Sequence, residues 1–211
     1  MQAVRLHNVL PEYQGRVRLR IRPFPLEVAR NEPASREILE QEWWLAALQE
    51  PAAQFAPYQG DDWPTTTLPA FEAVWCASQQ EEEIAHALDL RIRRAFFAES
   101  RNIGRPEVLL ELAQELAGEV AGLDLARFTR DFDGGAAREA VLEECRIGQE
   151  QYRVRGTPTL MLADGTKLRS PIAFPVMREH RVVAVGKLPC CGDGCLDATR
   201  ALFERALHPE T

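Results

Sequence analysis

The sequence predicts an α/β chain in which a long helical block interrupts a smaller unit of strands and helices. Three observations carry that expectation. Val17, Leu19 and Ile21 alternate with Arg16, Arg18, Arg20 and Arg22, the period of two expected of a strand with one buried face. From Pro33 to about Arg101 the apolar residues recur at helical spacing, with breaks. Finally, Thr159–Ala163 and Thr166–Arg169 flank the turn pair Asp164-Gly165, a hairpin signal that precedes one last amphipathic helix.

Taken in order, Val4, Leu6, Val9 and Leu10 read as a helix ended by Pro11 and Gly15. The strand at Val17–Ile21 follows and is stopped by Pro23 and Pro25. Ser35 is placed to cap a helix over Glu37–Gln49, which carries Trp43 and Trp44. A loop rich in Pro, Gly and Asp then leads to Thr66 or Thr67, a cap for a helix through Phe71, Val74 and Trp75. The acidic run Glu81–Glu83 suits the positive end of a further helix through Leu88, Ile92 and Phe96, and reads as a solvated start rather than a metal site. Arg105-Pro106 opens another helix, and Asp124 caps the one after it. Beyond Gly134-Gly135 a longer helix carries Val141 and Cys145 to about Tyr152. After the hairpin, Arg181–Val185 is a possible strand, and Asp193–Leu207 is the last helix, with Leu196, Leu202, Phe203 and Leu207 as its apolar face.

The composition bounds the function. The chain has 211 residues, 45% of them hydrophobic, enough to bury a core without metal or disulfide staples. Its net charge of −7 argues against wrapping a nucleic acid or lying on an anionic membrane. No apolar run is long enough for a membrane span, and Met1–Leu10, broken by His7 and Asn8, does not read as a secretion signal, so a cytoplasmic location is expected. Phosphate loops and zinc-protease motifs are missing from the sequence, and the four histidines, His7, His86, His180 and His208, read as surface or capping residues.

Of the five cysteines, Cys76 and Cys145 sit in helical patterns and read as packing thiols. Cys190, Cys191 and Cys195 fall together in Pro189-Cys-Cys-Gly-Asp-Gly-Cys195, which puts Cys195 in the first turn of the last helix, where free N–H groups favour a thiolate. Gly192 and Gly194 permit a tight loop. Redox activity, a structural disulfide or free thiols, and zinc binding with His180 or His208 are all consistent with this cluster. Adjacent cysteines and the histidine spacing weigh against zinc, so no metal is expected. A second motif, Val154-Arg155-Gly156-Thr157-Pro158-Thr159, puts a proline at the mouth of a strand. A cis bond there would leave the Thr157 backbone free to pair with an extended substrate, and a trans proline would simply start the strand.

The order of helix, Val-x-Gly-Thr-Pro-Thr, strand, Asp-Gly turn, strand and helix resembles the C-terminal half of a thioredoxin fold. Arg16–Leu26 followed by helices resembles its DsbA-like branch, which carries an inserted helical domain. Ala95–Ile103 and Cys145–Leu162 look like the DsbA-like oxidoreductases related to polyketide-pathway thiol oxidoreductases and 2-hydroxychromene-2-carboxylate isomerases. The resemblance implies a thioredoxin-like domain over residues 1–34 and 136–211, and a helical insertion over 35–135. Family members begin with a strand and a Cys-x-x-Cys that have no counterpart before the first helix here, so Val17–Ile21 is expected to lack its usual partner and the activity of the chain as written to be partial or lost.

The resemblance further implies thiol-disulfide exchange, with Cys190 and Cys195 matching an auxiliary Cys-x4-Cys of the polyketide-associated members and Cys191 as a further candidate. Gly156, Thr157 and Pro158 would bind the substrate strand. Protein or small-molecule thiols and disulfides are the implied partners. No bound cofactor is implied, although glutathione could serve as thiol co-substrate, and the chain could pair as a homodimer. Two other classes share the scaffold: a glutathione-dependent isomerase of the hydroxychromene carboxylate type, and a non-catalytic peptide-binding module that keeps the Thr157-Pro158 edge.

Overall fold

The computed structural model describes residues 1–32, 35–190 and 194–208. Among them are nine α-helices: α1 (Gln2–Val9), α2 (Leu26–Arg30), α3 (Arg36–Gln49), α4 (Leu68–Ser78), α5 (Glu82–Phe97), α6 (Pro106–Ala117), α7 (Leu125–Asp133), α8 (Ala136–Glu150) and α9 (Gly194–Leu207). Four strands form two separate antiparallel pairs: β1 (Leu160–Met161) with β2 (Lys167–Leu168), and β3 (Pro175–Arg178) with β4 (Arg181–Val185).

The chain divides into two compact units, residues 1–19, 35–55 and 156–211 in the first and residues 20–34 and 56–155 in the second. Within the first unit α3 packs against β4, and within the second α8 packs against α2, α4 and α7.

In the first unit, α1 and α9 lie against each other. Val9, Tyr13 and Phe203 are buried there, with Leu6, Leu10, Val17, Leu196 and Leu207 packed around them. The rings of Tyr13 and Phe203 stack at 4.9 Å. The Tyr13 hydroxyl donates to Glu204 at 2.8 Å, and Arg200 grips the Glu12 carboxylate through two nitrogens. Pairing in the first hairpin is Leu160 with Leu168 and Met161 with Lys167. Gly165 takes φ +88°, and the Asp164 carboxylate accepts from the Thr166 N–H at 2.8 Å, which is the turn chemistry the sequence signals. The second hairpin turns through Glu179 and His180, both at positive φ, a geometry that matches strand twist.

The second unit is helical. Its core is built from Ala73, Cys76, Ala77, Ile84, Leu88, Ile92, Leu109, Leu112, Phe128 and Val141 on α4 to α8. Alanines at 73, 77, 85 and 95 let these helices approach closely. The side chain of Asp124 accepts from the Arg127 N–H and caps α7, as its position predicts.

Three expectations require correction. Residues 17–21 form no strand: their burial still alternates with period two, but among the described residues no strand pairs with them, the Val17 N–H turning back to the Tyr13 carbonyl at 3.1 Å, and a strand exists only as part of a ladder. Ser35 precedes α3 without a side-chain capping bond. His86 is no surface residue: it lies on the inward face of α5 and is 7% exposed. The two tryptophans of α3 part company, Trp43 entering the core and Trp44 remaining 65% exposed, because adjacent helical positions point about 100° apart. The short helix α2 and the strand β3 have no expectation to match.

Candidate functional site

Cys190 ends the segment that follows β4, and Cys195 is the second residue of α9. The two are joined as a disulfide with their Cα atoms 5.1 Å apart. Their surroundings differ. Cys195 is 1% exposed and its carbonyl accepts from the buried Thr199 hydroxyl at 2.8 Å, inside the first turns of α9. Cys190 is part-exposed, and its sulfur lies 3.6 Å from the carbonyl oxygen of Pro171. Cys191, the third candidate of the cluster, lies outside the described residues.

Several residues that sequence reasoning missed hold the Pro171 segment in place. Arg5, on α1, is 1% exposed. Its Nη1 donates to the Pro171 carbonyl at 2.8 Å, its Nε donates to the Glu50 carboxylate at 2.8 Å, and its Nη2 donates to the Gln49 carbonyl. Gln49 bonds Ala173 on both sides, its Nε2 donating to the Ala173 carbonyl at 3.0 Å and its Oε1 accepting from the Ala173 N–H at 2.7 Å. The Ser170 hydroxyl donates to Gln2 at 3.0 Å. The only sequence signal of this set is an arginine beside apolar positions on an amphipathic helix.

The second predicted feature lies in the same unit. The Thr157-Pro158 bond is cis, and the Thr159 hydroxyl donates to the Gly156 carbonyl at 2.6 Å. Thr157 is exposed, while Gly156 and Pro158 are half-buried. The described hydrogen bonds join this loop to itself and do not join it to the Cys190–Cys195 bridge.

Cys76 and Cys145 are free and buried. Burial pushes the Cys76 thiol up to about 12, with Asp131 and Glu72 adding to the rise, and burial also raises Cys145. Neither forms a thiolate at neutral pH. Among the described residues no three His, Cys, Asp or Glu side chains gather as a metal ion would require, and no helix is long and apolar enough to cross a membrane. A cleft of about 410 Å³ is lined by Glu37, Glu40, Gln41, Trp44 and Arg181, and one of about 130 Å³ by Phe24, Leu26, Arg30, Gln149 and neighbours. Neither cleft is lined by the bridged cysteines or by residues 156–158.

A family model described as Thioredoxin matches residues 6–176, most of the chain. The chain belongs to the Thioredoxin family. Two solved structures are similar to this thioredoxin-family chain. One, from Nitrosomonas europaea and provisionally described as a protein disulfide isomerase, is 20% identical with a TM-score of 0.65, over 99% of this chain and 91% of that one. The other, the cytosolic disulfide reductase DsbM from Pseudomonas aeruginosa, is 23% identical with a TM-score of 0.61, over 98% of this chain and 92% of that one. Among curated proteins no sequence match is found. The two structures establish a thioredoxin-like fold with many helices and few strands.

Proposed function

We propose that this protein is a thiol-disulfide oxidoreductase of the DsbA-like kind, in the branch of the polyketide-associated oxidoreductases, and that Cys190 and Cys195 are its reacting sulfurs. One observation carries the reading: a bridge whose two ends differ, Cys190 reachable and Cys195 buried in the first turn of α9. An incoming thiolate attacks the Cys190 sulfur, the bond between Cys190 and Cys195 breaks, and its electron pair leaves on Cys195, where the helix N–H groups stabilise it. A second donor thiolate then displaces Cys190 from the mixed disulfide. Two thiols have become one disulfide and the bridge has gained two electrons. In reverse, Cys190 gives its proton to water and attacks a substrate disulfide as the thiolate, and Cys195 resolves the intermediate.

The exposed Thr157 backbone offers an edge to an extended substrate, with Gly156 and Pro158 shaping it. The sulfur pair lies outside both clefts, which favours exchange with sulfur arriving at the surface over an isomerase that must enclose an aromatic substrate. The reading sets the protein in the cytoplasm against a reducing thiol pool, with protein or small-molecule thiols, glutathione among them, as partners and no bound cofactor.

Insulin reduction with dithiothreitol as donor tests it. Turnover above the uncatalysed rate, lost in Cys195→Ser and in Cys190→Ser, is expected. No turnover, together with a bridge that stays closed at potentials near −300 mV, would make the disulfide structural and leave a peptide-binding module.

A further inference from the structure

Arg5 is a fully buried cation that the exchange steps do not use, and its position is unusual for what it holds. A buried ion pair is a poor device for stability alone, since two apolar side chains of the same volume hold a helix contact at least as well. What an apolar pair could not do is donate a hydrogen bond to Pro171. That carbonyl takes 2.8 Å from Arg5 Nη1 on one side and faces the Cys190 sulfur at 3.6 Å on the other. Glu50 fixes the guanidinium plane through Nε, and Gln49 fixes the chain two residues on, at Ala173. The bridge therefore has a carbonyl acceptor against one sulfur, and its other sulfur belongs to the second residue of α9.

We infer that Arg5 is a positioning residue for the Cys190–Cys195 couple, holding the Pro171 carbonyl beside Cys190 so that on reduction Cys190 keeps its proton and Cys195 carries the negative charge. The inference deepens the exchange reading and rests on it for its purpose. Two thiols reduce the bridge and leave as one disulfide; one proton stays on Cys190, whose S–H donates to Pro171, and the other passes to water as Cys195 remains a thiolate. Cys190 is then the entry sulfur, and Cys195 the sulfur that leaves and resolves.

The titration of each thiol alone tests this. In a Cys191→Ser background, Cys190→Ser leaves Cys195, and Cys195→Ser leaves Cys190, to be followed by thiolate ultraviolet absorbance against pH. The buried Cys76, held at about 12, stays silent over the range. Cys195 is expected to ionise at lower pH than Cys190. Arg5→Lys keeps the charge but cannot make all three bonds, and should bring the Cys190 midpoint down by about one pH unit while leaving Cys195 nearly unmoved. Glu50→Gln keeps the volume and unfixes the guanidinium, and should shift Cys190 the same way if Arg5→Lys fails to fold. Cys190 ionising first in the unaltered site, or an unchanged gap in both variants, overturns the proposal. Equal ionisation with full insulin turnover removes the role of Arg5 alone, whereas the expected gap without turnover removes the exchange reading.

Discussion

Tyr13 stacks on Phe203 with ring centroids 4.9 Å apart and 25° between their planes, so the turn after α1 and the middle of α9 share one buried aromatic contact. Both rings are at most 4% exposed. Phe203→Ala removes most of that contact and should cost roughly 3–5 kcal/mol, read as a lower denaturant midpoint with unchanged slope. A loss under about 1 kcal/mol would mean that α9 docks in some other way.

A pH effect follows from the ion pair beside it. The hydrogen bonds from Arg200 hold the Glu12 carboxyl below its ordinary range. A carboxyl with a lowered folded value contributes stability that is present above the unfolded value near 4 and lost as pH falls through the folded one. The thermal midpoint should therefore fall as pH drops below about 5, and Glu12→Gln should flatten part of that slope. The solvated position of the pair keeps the effect small, and an identical slope in the variant would count against it.

Thiol labelling separates the cysteines by environment. Native, oxidised protein should leave Cys76 and Cys145 unmodified by iodoacetamide at neutral pH, because both are 0–1% exposed and both have thiols raised by burial. After mild reduction, mass spectrometry should find new label on Cys190 and Cys195 while Cys76 and Cys145 stay unmodified. Early labelling of Cys145 would contradict the packing around it.

Gly148 illustrates close approach. A Cβ built there would stand 2.9 Å from Cδ2 of Phe24, the edge of a buried ring. Alanine favours a helix by about 1 kcal/mol over glycine, whereas forcing a methyl into a packed ring costs about 1–3 kcal/mol. Gly148→Ala is expected to be net destabilising in chemical unfolding, and a stabilised variant would show that Phe24 yields freely.

The longer helices and the first hairpin are legible because their signals are local. Asp124 caps α7, the acidic residues open α5, and Asp164-Gly165 makes its turn from neighbours in sequence. Residues 17–21 depart from their pattern for the opposite reason. Their side chains keep the alternating burial the pattern predicts, but pairing depends on a partner backbone that a stretch of sequence does not carry. The site shows the same division. The cysteines and the Thr157-Pro158 loop can be read as motifs, while Arg5 takes its meaning from Glu50 and Pro171, 45 and 166 residues away.

The first unit is assembled from three separate stretches of chain, whereas nearly all of the second lies in one run, 56–155. Contacts such as Tyr13 to Glu204 span 191 residues, and closing loops of that length is slow compared with docking neighbouring helices. During synthesis the helical unit can gather as soon as its run has emerged. α1 must wait for α9, and the sulfur bridge at the head of α9 is among the last features the chain can complete.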